Sequence, residues 1–294
     1  MKPSPFSYHR PRTVEEAVEL LGALGEEGKV LAGGQSLVPL MSMRLAAPAH
    51  LVDVNHIPEL DTVAVTAAGV RVGATARHAR VEKDAAAYDA APLLRQGLVN
   101  VAHPTIRNRG TTVGSLVHAD PSAEMPAVLA LLGGSVELRS TAGSREVAAA
   151  DFFVGPMESA LRPGELAVAA TFHRPPPRSG SAFVELARRH GDYALCGVAA
   201  LVTTDHDGAV TTARVALISV GPVPIVVDVG AAVHGAGTAF DTERLAGLLD
   251  AAIDPEADIH ATAEYRRHLA HVLAARALTE AHEHAGPTRD ERAS

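Results

Sequence analysis

The amino-acid sequence predicts an α+β fold built in more than one part, and three observations lead to that prediction. A capped amphipathic helix and short buried strands occupy the first part of the chain, hairpin patterns occupy the middle, and a proline-rich break precedes further strands and two helices. The 294 residues, of which 47% are hydrophobic, can bury a substantial core in about two or three domains.

The first predicted element is a helix over Val14–Leu24. Thr13 and Glu16 are spaced as a capping box, and apolar residues recur on one face at helical spacing. A buried strand at residues 30–32 should end at the glycine pair that follows, and a helix over residues 37–45 is expected next. Residues 51–54 predict another buried strand, and the change of pattern at residues 56–60 predicts a boundary.

Two hairpins are expected after this boundary. Val63 and Val65, then Val70 and Val72, alternate on either side of a turn at residues 67–69. The same pattern returns over residues 136–147, with a turn around residues 142–143. A second α+β unit therefore begins near residue 56.

The best candidate for a linker is the segment 174–181, because its consecutive prolines remove backbone donors and cannot continue a helix or a central strand. Strands are predicted at residues 182–188, 196–203 and 210–220, the last two joined by a turn at 205–208. Two helices follow, one around residues 245–253 and one around residues 265–272. The polar segment 282–294 should form a frayed tail.

Charge and composition exclude several classes of protein. The formal net charge of −8 disfavours a nucleic-acid partner, because such binding needs Lys and Arg to neutralise phosphates. No apolar stretch reaches the roughly 20 residues of a membrane span, and the N-terminus lacks an apolar signal region. We therefore expect a soluble protein in the cytoplasm.

Cys196 is the only cysteine. A single thiol excludes an internal disulfide and any four-thiolate zinc or iron–sulfur site within this chain. Because Cys196 lies in an apolar predicted strand, we interpret it as a buried structural thiol rather than a nucleophile.

The first candidate site is the loop Ala32-Gly33-Gly34-Gln35-Ser36, which lies between a predicted strand and a predicted helix. Small residues in such a loop let backbone N–H groups approach an anion closely. A tight turn in which Ser36 caps the helix is the alternative, and for this loop alone it is favoured.

A second loop of the same character, Thr111-Thr112-Val113-Gly114-Ser115, lies in a segment rich in hydroxyls, small residues and charges. Two such loops could hold the two phosphates of a dinucleotide, with Asp120 and Glu124 as acceptors for sugar or ribityl hydroxyls. Alternatively, Asp120 caps a helix that runs to residue 132, and Glu124 is exposed. The sequence contains neither the Rossmann G-x-G-x-x-G pattern after a strand nor a Walker motif.

A metal site is a weaker hypothesis. His268 and His271 lie three residues apart on a predicted helix, with His282 and His284 beyond them. An exposed, solvated helix face is the favoured interpretation, and no metal site is predicted. From its own sequence context, Tyr193 fits a core tyrosine at the start of a strand as well as it fits a site residue.

Taken together, four stretches resemble the FAD-binding medium subunit of the xanthine dehydrogenase and carbon monoxide dehydrogenase family, a family of molybdenum hydroxylases. They are Ala32-Gly33-Gly34-Gln35-Ser36-Leu37, residues 110–124, Arg188-Arg189-His190-Gly191-Asp192-Tyr193, and Tyr265-Arg266-Arg267-His268-Leu269 with Arg276-Ala277-Leu278. Each motif alone is modest, and their order and spacing make the match specific.

The resemblance implies a vanillyl-alcohol-oxidase-type (PCMH-type) FAD-binding domain in two parts, residues 1–55 and 56–176. A smaller C-terminal domain with an antiparallel sheet and helices, of carbon monoxide dehydrogenase flavoprotein type, would occupy residues 181–283, and a polar tail residues 284–294. The FAD pyrophosphate would lie on the two loops, with Val101 near the flavin or adenine side, Asp120 and Glu124 at polar groups, and Leu166 and Tyr193 at the isoalloxazine. The implied cofactor-binding residues are Val30, Leu31, Ala32, Gly33, Gly34, Gln35, Ser36, Leu37, Val101, Thr111, Thr112, Val113, Gly114, Ser115, Asp120, Glu124, Leu166 and Tyr193.

Three positions depart from the family pattern. Gln35 stands in place of a common His, which keeps a donor and removes a titratable group. Val113 stands in place of the first glycine of a Gly-Gly-Ser, so its backbone has to avoid positive φ or the loop has to shift. Glu124 stands where Asp is frequent and could make the same hydrogen bond from farther back.

By resemblance, the chain is the flavin subunit of an oxidoreductase. A molybdenum cofactor in a large subunit would oxidise the substrate, and [2Fe–2S] clusters in a small subunit would pass electrons to FAD, in a complex expected to be a dimer of heterotrimers. No catalytic residue is predicted in this chain. Two alternatives stay open: a stand-alone flavoprotein that oxidises a small molecule directly, and a scaffold that has lost FAD.

Overall fold

The computed structural model describes residues 2–234 and 239–286. The chain begins with a three-stranded parallel sheet in the order β1-β3-β2, in which Val52 of β3 lies between His9 of β1 and Val30 of β2. The strands and helices of this part are β1 (Ser7–His9), α1 (Val14–Leu24), β2 (Gly28–Leu31), α2 (Leu37–Ser42) and β3 (His50–Asp53).

Helix α1 has the predicted bounds. The Thr13 hydroxyl accepts a hydrogen bond from the Glu16 amide at 3.1 Å, and Val14, Ala17 and Leu21 are buried. The Glu16 carboxylate accepts from the Arg12 amide rather than from Thr13, so the reciprocal half of the capping box is shifted by one residue. Helix α2 is shorter than predicted and ends at Ser42 instead of residue 45.

The second part contains a five-stranded antiparallel sheet in the order β4-β5-β10-β6-β7. Both predicted hairpins are confirmed, β4 with β5 and β6 with β7. Its strands are β4 (Val63–Val65), β5 (Gly69–Gly73), β6 (Ser135–Ser140), β7 (Gly143–Ala148) and β10 (Leu166–His173), and the short strands β8 (Phe153–Gly155) and β9 (Glu158–Ser159) form a separate hairpin.

The central strand β10 and the short helices between residues 78 and 118 are not among the predicted elements. Six of the eight residues of β10 are buried, so the alternation typical of a half-exposed strand is missing. The helices of this part are α3 (His78–Lys83), α4 (Ala85–Ala90), α5 (Pro92–Leu98), α6 (Pro104–Arg107), α7 (Thr112–His118), α8 (Glu124–Leu132) and α9 (Ala149–Phe152).

The C-terminal part is a four-stranded antiparallel sheet packed with two helices; three of the strands and both helices were predicted, and the fourth strand, β14, was not. The strand β11 already starts at Ser179, so the irregular connection is shorter than the segment 174–181. The elements are β11 (Ser179–Ala187), β12 (Ala194–Thr204), β13 (Val210–Ile218), β14 (Ile225–Asp228), β15 (Val233–His234), β16 (Ala239–Phe240), α10 (Thr242–Asp250) and α11 (Ala263–His284).

This sheet is covered on both faces. Residues that alternate along β12 belong to two different cores: Ala199 and Leu201 pack with the second part, and Val198 and Ala200 pack with the C-terminal helices. Helix α8 covers the first face, and α11 covers the second. The C-terminal part therefore shares one hydrophobic core with the rest of the chain.

The prediction of a frayed tail from residue 282 was wrong for its first residues. Helix α11 continues to His284, which hydrogen-bonds to the carbonyl of Ser181, while His282 hydrogen-bonds to that of Gly208. These contacts to the sheet hold the last turn in place. The rest of the expected tail, residues 287–294, lies outside the described residues. Within residues 2–234 and 239–286, the structure contains no helix with the length and apolar character needed to cross a bilayer.

Candidate functional site

The first predicted loop connects β2 to α2 and lies directly against the second loop. A Cβ added to Gly33 would lie 2.6 Å from the carbonyl oxygen of Arg109 and 2.7 Å from the Cα of Gly110. Only glycine allows backbone to meet backbone at this distance. Gly34 has a φ of 71°. Ser36 occupies the N-cap position of α2, as the alternative interpretation expected, but its side chain makes no capping hydrogen bond.

The second predicted loop is the start of helix α7. The Thr111 hydroxyl accepts a hydrogen bond from the Gly114 amide at 3.2 Å, and a Cβ on Gly114 would lie 2.5 Å from that hydroxyl oxygen. Val113 is in the first turn of the helix, is 2% exposed and does not have a positive φ. The helical turn therefore accommodates valine without the strain that a glycine position would have implied.

Both loops open onto one cavity of about 470 Å³ between the first and second parts of the chain. Sixteen of the eighteen predicted residues line it, namely Val30, Ala32, Gly33, Gly34, Gln35, Ser36, Leu37, Val101, Thr111, Val113, Gly114, Ser115, Asp120, Glu124, Leu166 and Tyr193. The cavity thus brings together predicted residues that are up to 163 positions apart in the sequence, from Val30 to Tyr193.

Leu31 and Thr112 do not line the cavity. The Leu31 side chain lies beneath the first loop, where its Cδ1 is 3.2 Å from the position of a Cβ on Gly34. Thr112 is fully buried, and its hydroxyl hydrogen-bonds to Nδ1 of His78 at 3.2 Å. Both residues support the loops from behind.

The cavity has further lining residues that were not predicted individually. Nine of the sixteen lie outside the stretches that carry the family resemblance, such as Ala102, Ile106, Met157 and Leu161. The complete additional set is Lys29, Val54, Ala74, His78, Ala102, Ile106, Gly110, Val117, His118, Ser122, Ala123, Met157, Leu161, Ala167, Gly191 and Asp192. The family-like stretches 110–124 and 188–193 were the signals that could have indicated the other seven.

Two carboxylates, Asp120 and Glu124, form the acidic side of the cavity. Asp120 Oδ1 accepts from the Ser122 amide at 2.8 Å, and helix α8 begins at Glu124 with Ala123 as its N-cap. Glu124 is only 9% exposed, which contradicts the alternative of an exposed glutamate beyond an Asp120 cap.

Burial, reinforced by Asp120, raises the pKa of Glu124 to about 7. Burial and the neighbouring Glu124 raise the pKa of Glu185 to about 8, and its Oε2 is buried without a hydrogen-bond partner. These two carboxyls are therefore largely protonated in mildly acidic solution. A protonated carboxyl can donate a hydrogen bond into the cavity as well as accept one.

The histidines of the cavity favour their neutral forms. Burial and, to a smaller extent, the charge of Arg107 together lower the pKa of His78 to about 4, and burial also lowers the pKa of His118. Tyr193 is 66% exposed at the mouth of the cavity, so it is not a core tyrosine. Gly191, with a φ of 77°, places the preceding turn against Ala102 and His103.

The residues considered for other chemistry do not form sites. Cys196 is fully buried, and burial raises the pKa of its thiol to about 12, as expected of a structural thiol. In the part of the chain that the structure describes, no three His, Cys, Asp or Glu side chains are grouped so that they could hold a metal ion. His271 instead contacts the Asp250 carboxylate at 2.9 Å.

Comparisons with known proteins identify two family segments in the chain. Residues 4–172 match the family model described as the FAD binding domain in molybdopterin dehydrogenase, and residues 181–281 match the CO dehydrogenase flavoprotein C-terminal domain. The carbon monoxide dehydrogenase medium chain of Afipia carboxidovorans is 38% identical over 96% of this chain and 98% of that protein. The 6-hydroxypseudooxynicotine dehydrogenase complex subunit alpha of Paenarthrobacter nicotinovorans is 36% identical over 99% of both.

Among solved structures, the Cu,Mo-CO dehydrogenase in its cyanide-inactivated form superposes with a TM-score of 0.91 at 35% identity. The match covers 97% of this chain and all of that one. The α+β, PCMH-type fold class and the assignment as an oxidoreductase subunit are thereby confirmed. The chain belongs to the family of FAD-binding medium subunits of molybdenum hydroxylases that includes the carbon monoxide dehydrogenase medium chains.

Proposed function

We propose that the chain holds FAD in the cavity between its two glycine loops and passes electrons from [2Fe–2S] clusters of a partner subunit to an external acceptor. The observation that carries this proposal is the backbone contact between Gly33 and the segment Arg109–Gly110 at the wall of the cavity, within the segment that matches the FAD-binding family model. Loops of small residues that converge on one cavity suit a pyrophosphate bound by backbone amides.

The lining of the cavity fits an extended dinucleotide. Residues 30–37 and 111–115 would hold the pyrophosphate, and Asp120 and Glu124 would hydrogen-bond to sugar or ribityl hydroxyls. Val101, Leu166 and Tyr193 supply the apolar and aromatic surface that a flavin or adenine ring requires. Bound FAD supplies the redox chemistry, whereas these residues bind it, orient it and limit its contact with water.

The proposed partners are an iron–sulfur small subunit and a molybdopterin large subunit, assembled as a dimer of heterotrimers in the cytoplasm. The names of relatives, "medium chain" and "complex subunit alpha", describe those proteins as parts of multi-subunit enzymes. The single, buried Cys196 supports the same division of labour, because this chain cannot supply four thiolates to a cluster. The substrate would be set by the large subunit.

The test is to tag this chain in its native host, isolate what copurifies with it and measure FAD, iron and molybdenum. We expect all three in the complex, and only FAD in the chain separated from its partners. A substrate that reduces the flavin of the complex should leave the flavin of the separated chain oxidised. Substrate-dependent reduction by the chain alone, with no partner bound, would instead support a stand-alone flavoprotein, and failure of both forms to bind FAD would support a scaffold.

A further inference from the structure

Two polar side chains, Asn55 and Arg77, connect the glycine loops from behind the cavity. The Asn55 Nδ2 donates to the carbonyl oxygen of Ala32 in the first loop at 2.8 Å. The Arg77 Nη1 donates to the carbonyl oxygen of Arg109, two residues before the second loop, at 2.5 Å. Between them, the Arg77 Nη2 donates to the Asn55 Oδ1 at 2.6 Å. We call this chain of hydrogen bonds the Asn55–Arg77 brace.

The orientation of the Asn55 amide is fixed by a third residue. Asp53 is 7% exposed, and its Oδ1 accepts from the backbone amide of Asn55 at 2.9 Å and from its Nδ2 at 2.6 Å. The second oxygen of Asp53 accepts from the hydroxyl of Tyr8. Because a carboxylate can only accept, the amide nitrogen of Asn55 has to face Asp53 and Ala32, and its oxygen has to face Arg77.

The brace differs from the other contacts between the loops. At the cavity wall, Gly33 meets the second loop through van der Waals contact alone. The second loop is held to its own part of the chain by backbone hydrogen bonds from Thr112 to Ala76 and from His78 to Gly110. Among residues 2–234 and 239–286, no backbone hydrogen bond joins residues 32–36 to residues 109–115. Asn55 and Arg77 therefore supply a hydrogen-bonded link between the two loops.

We infer that Asn55 and Arg77 are positioning residues that hold the two loops at the separation needed to bind the pyrophosphate of a dinucleotide. Neither side chain lines the cavity, so both act through the loop carbonyls that they hold. The inference rests on the proposed function, since it requires the loops to bind FAD. Binding groups that are fixed before the ligand arrives lose less entropy on binding, which favours a rigid brace at this point.

The test compares the variants Asn55→Ala, Arg77→Met and their combination in the full-length chain and in the isolated complex. Arg80→Met is the matched control, because Arg80 lies three residues away, pairs with Asp61 at 2.7 Å and contacts neither loop. The probes are FAD, ADP, which keeps the pyrophosphate, and riboflavin, which lacks it.

We expect each single variant to weaken FAD and ADP binding about 10- to 100-fold, the loss typical of a hydrogen bond to a charged group. Riboflavin binding should change less than about twofold. The double variant should lose little more than either single variant, because the two residues act as one unit. Arg77→Lys should recover part of the affinity at most, since one ammonium cannot replace the two donors of the guanidinium fork.

The outcomes separate the two claims. Wild-type chain and complex that bind neither FAD nor ADP would contradict the proposed function. Wild-type binding with unchanged affinity in both single variants would overturn the brace and leave the proposed function intact. Equal losses for ADP and riboflavin, or an equal loss in Arg80→Met, would overturn it as well, because the effect would then come from general destabilisation or from charge. Wild-type FAD affinity in Arg77→Lys would also overturn the brace, because a charge alone would then be sufficient.

Discussion

Replacing Gly33 with alanine is expected to weaken FAD binding through a steric conflict between the two loops. The added Cβ would lie 2.6 Å from the Arg109 carbonyl oxygen, 2.7 Å from the Gly110 Cα and 3.0 Å from the Thr111 nitrogen. All three are backbone atoms, so no side chain can rotate away. Ordinary contact distances require the loops to separate by roughly 1 Å.

The cost of such overpacking is about 1–3 kcal/mol, which corresponds to an FAD dissociation constant raised about 5- to 150-fold if the loops close again on binding. Titration of the purified chain with FAD, followed by flavin fluorescence or calorimetry, measures this change. Gly247→Ala is the matched control, because a Cβ there meets nothing within 4 Å in helix α10. That variant should keep the wild-type affinity and be slightly more stable. Wild-type FAD affinity and unchanged thermal stability in Gly33→Ala would refute the reasoning.

Three further predictions concern stability. Because the folded pKa of Glu124 is about 7 against an ordinary value of 4.5, the folded chain binds more protons in this interval, and the contribution of Glu124 to the free energy of unfolding should fall by about 3 kcal/mol as pH rises from about 4.5 to 7. Glu185, with a pKa of about 8, should add a loss of its own that begins in the same interval and continues above neutrality, and Glu124→Gln should make the decline measured by urea unfolding shallower; an unaltered slope would contradict this. Val113→Gly should lower the free energy of unfolding by about 2–4 kcal/mol without strengthening FAD binding, since it removes a buried side chain from a helix; tighter FAD binding would show that the family's glycine is the better residue here. Arg266→Met should cost about 2–4 kcal/mol in chemical unfolding, because the buried Arg266 side chain donates to two carbonyls that the variant leaves unpaired, and a loss below about 1 kcal/mol would count against a structural role.

Elements with a local pattern could be predicted from the sequence. The Thr13 cap and the apolar face define α1, and the valine alternation over residues 63–72 defines a hairpin. Strand β10 has no such signal, because both of its faces are buried against other elements. Helices α3–α7 have four to seven residues, too few for an amphipathic period to emerge.

The same distinction applies to the cavity. Its glycine loops have a recognisable composition, and sixteen of the residues inferred from the family resemblance line it. The Asn55–Arg77 brace was not predicted, because its two members are isolated polar residues that the fold brings together. Their role depends on the carbonyl groups to which they donate, and no repeating sequence pattern indicates those contacts. At Val113 the sequence comparison predicted a difficulty that the structure does not have. The family pattern suggested backbone strain, whereas Val113 lies in a helical turn without a positive φ.

The sheet that α8 and α11 cover from opposite sides determines how the chain unfolds. Residues 174–178 form an irregular connection, but the hydrophobic core continues across it. Cleaving the chain there and separating the products would leave Ala199, Leu201 and Ile218 without their apolar neighbours in α8 and its surroundings. Both products would expose large apolar surfaces to solvent and would be prone to aggregate. Heating should therefore melt the intact chain in one cooperative transition. Because α8 starts at Glu124, on the wall of the cavity, that transition also dismantles the binding site, so a bound dinucleotide should delay the unfolding of both family-model segments together.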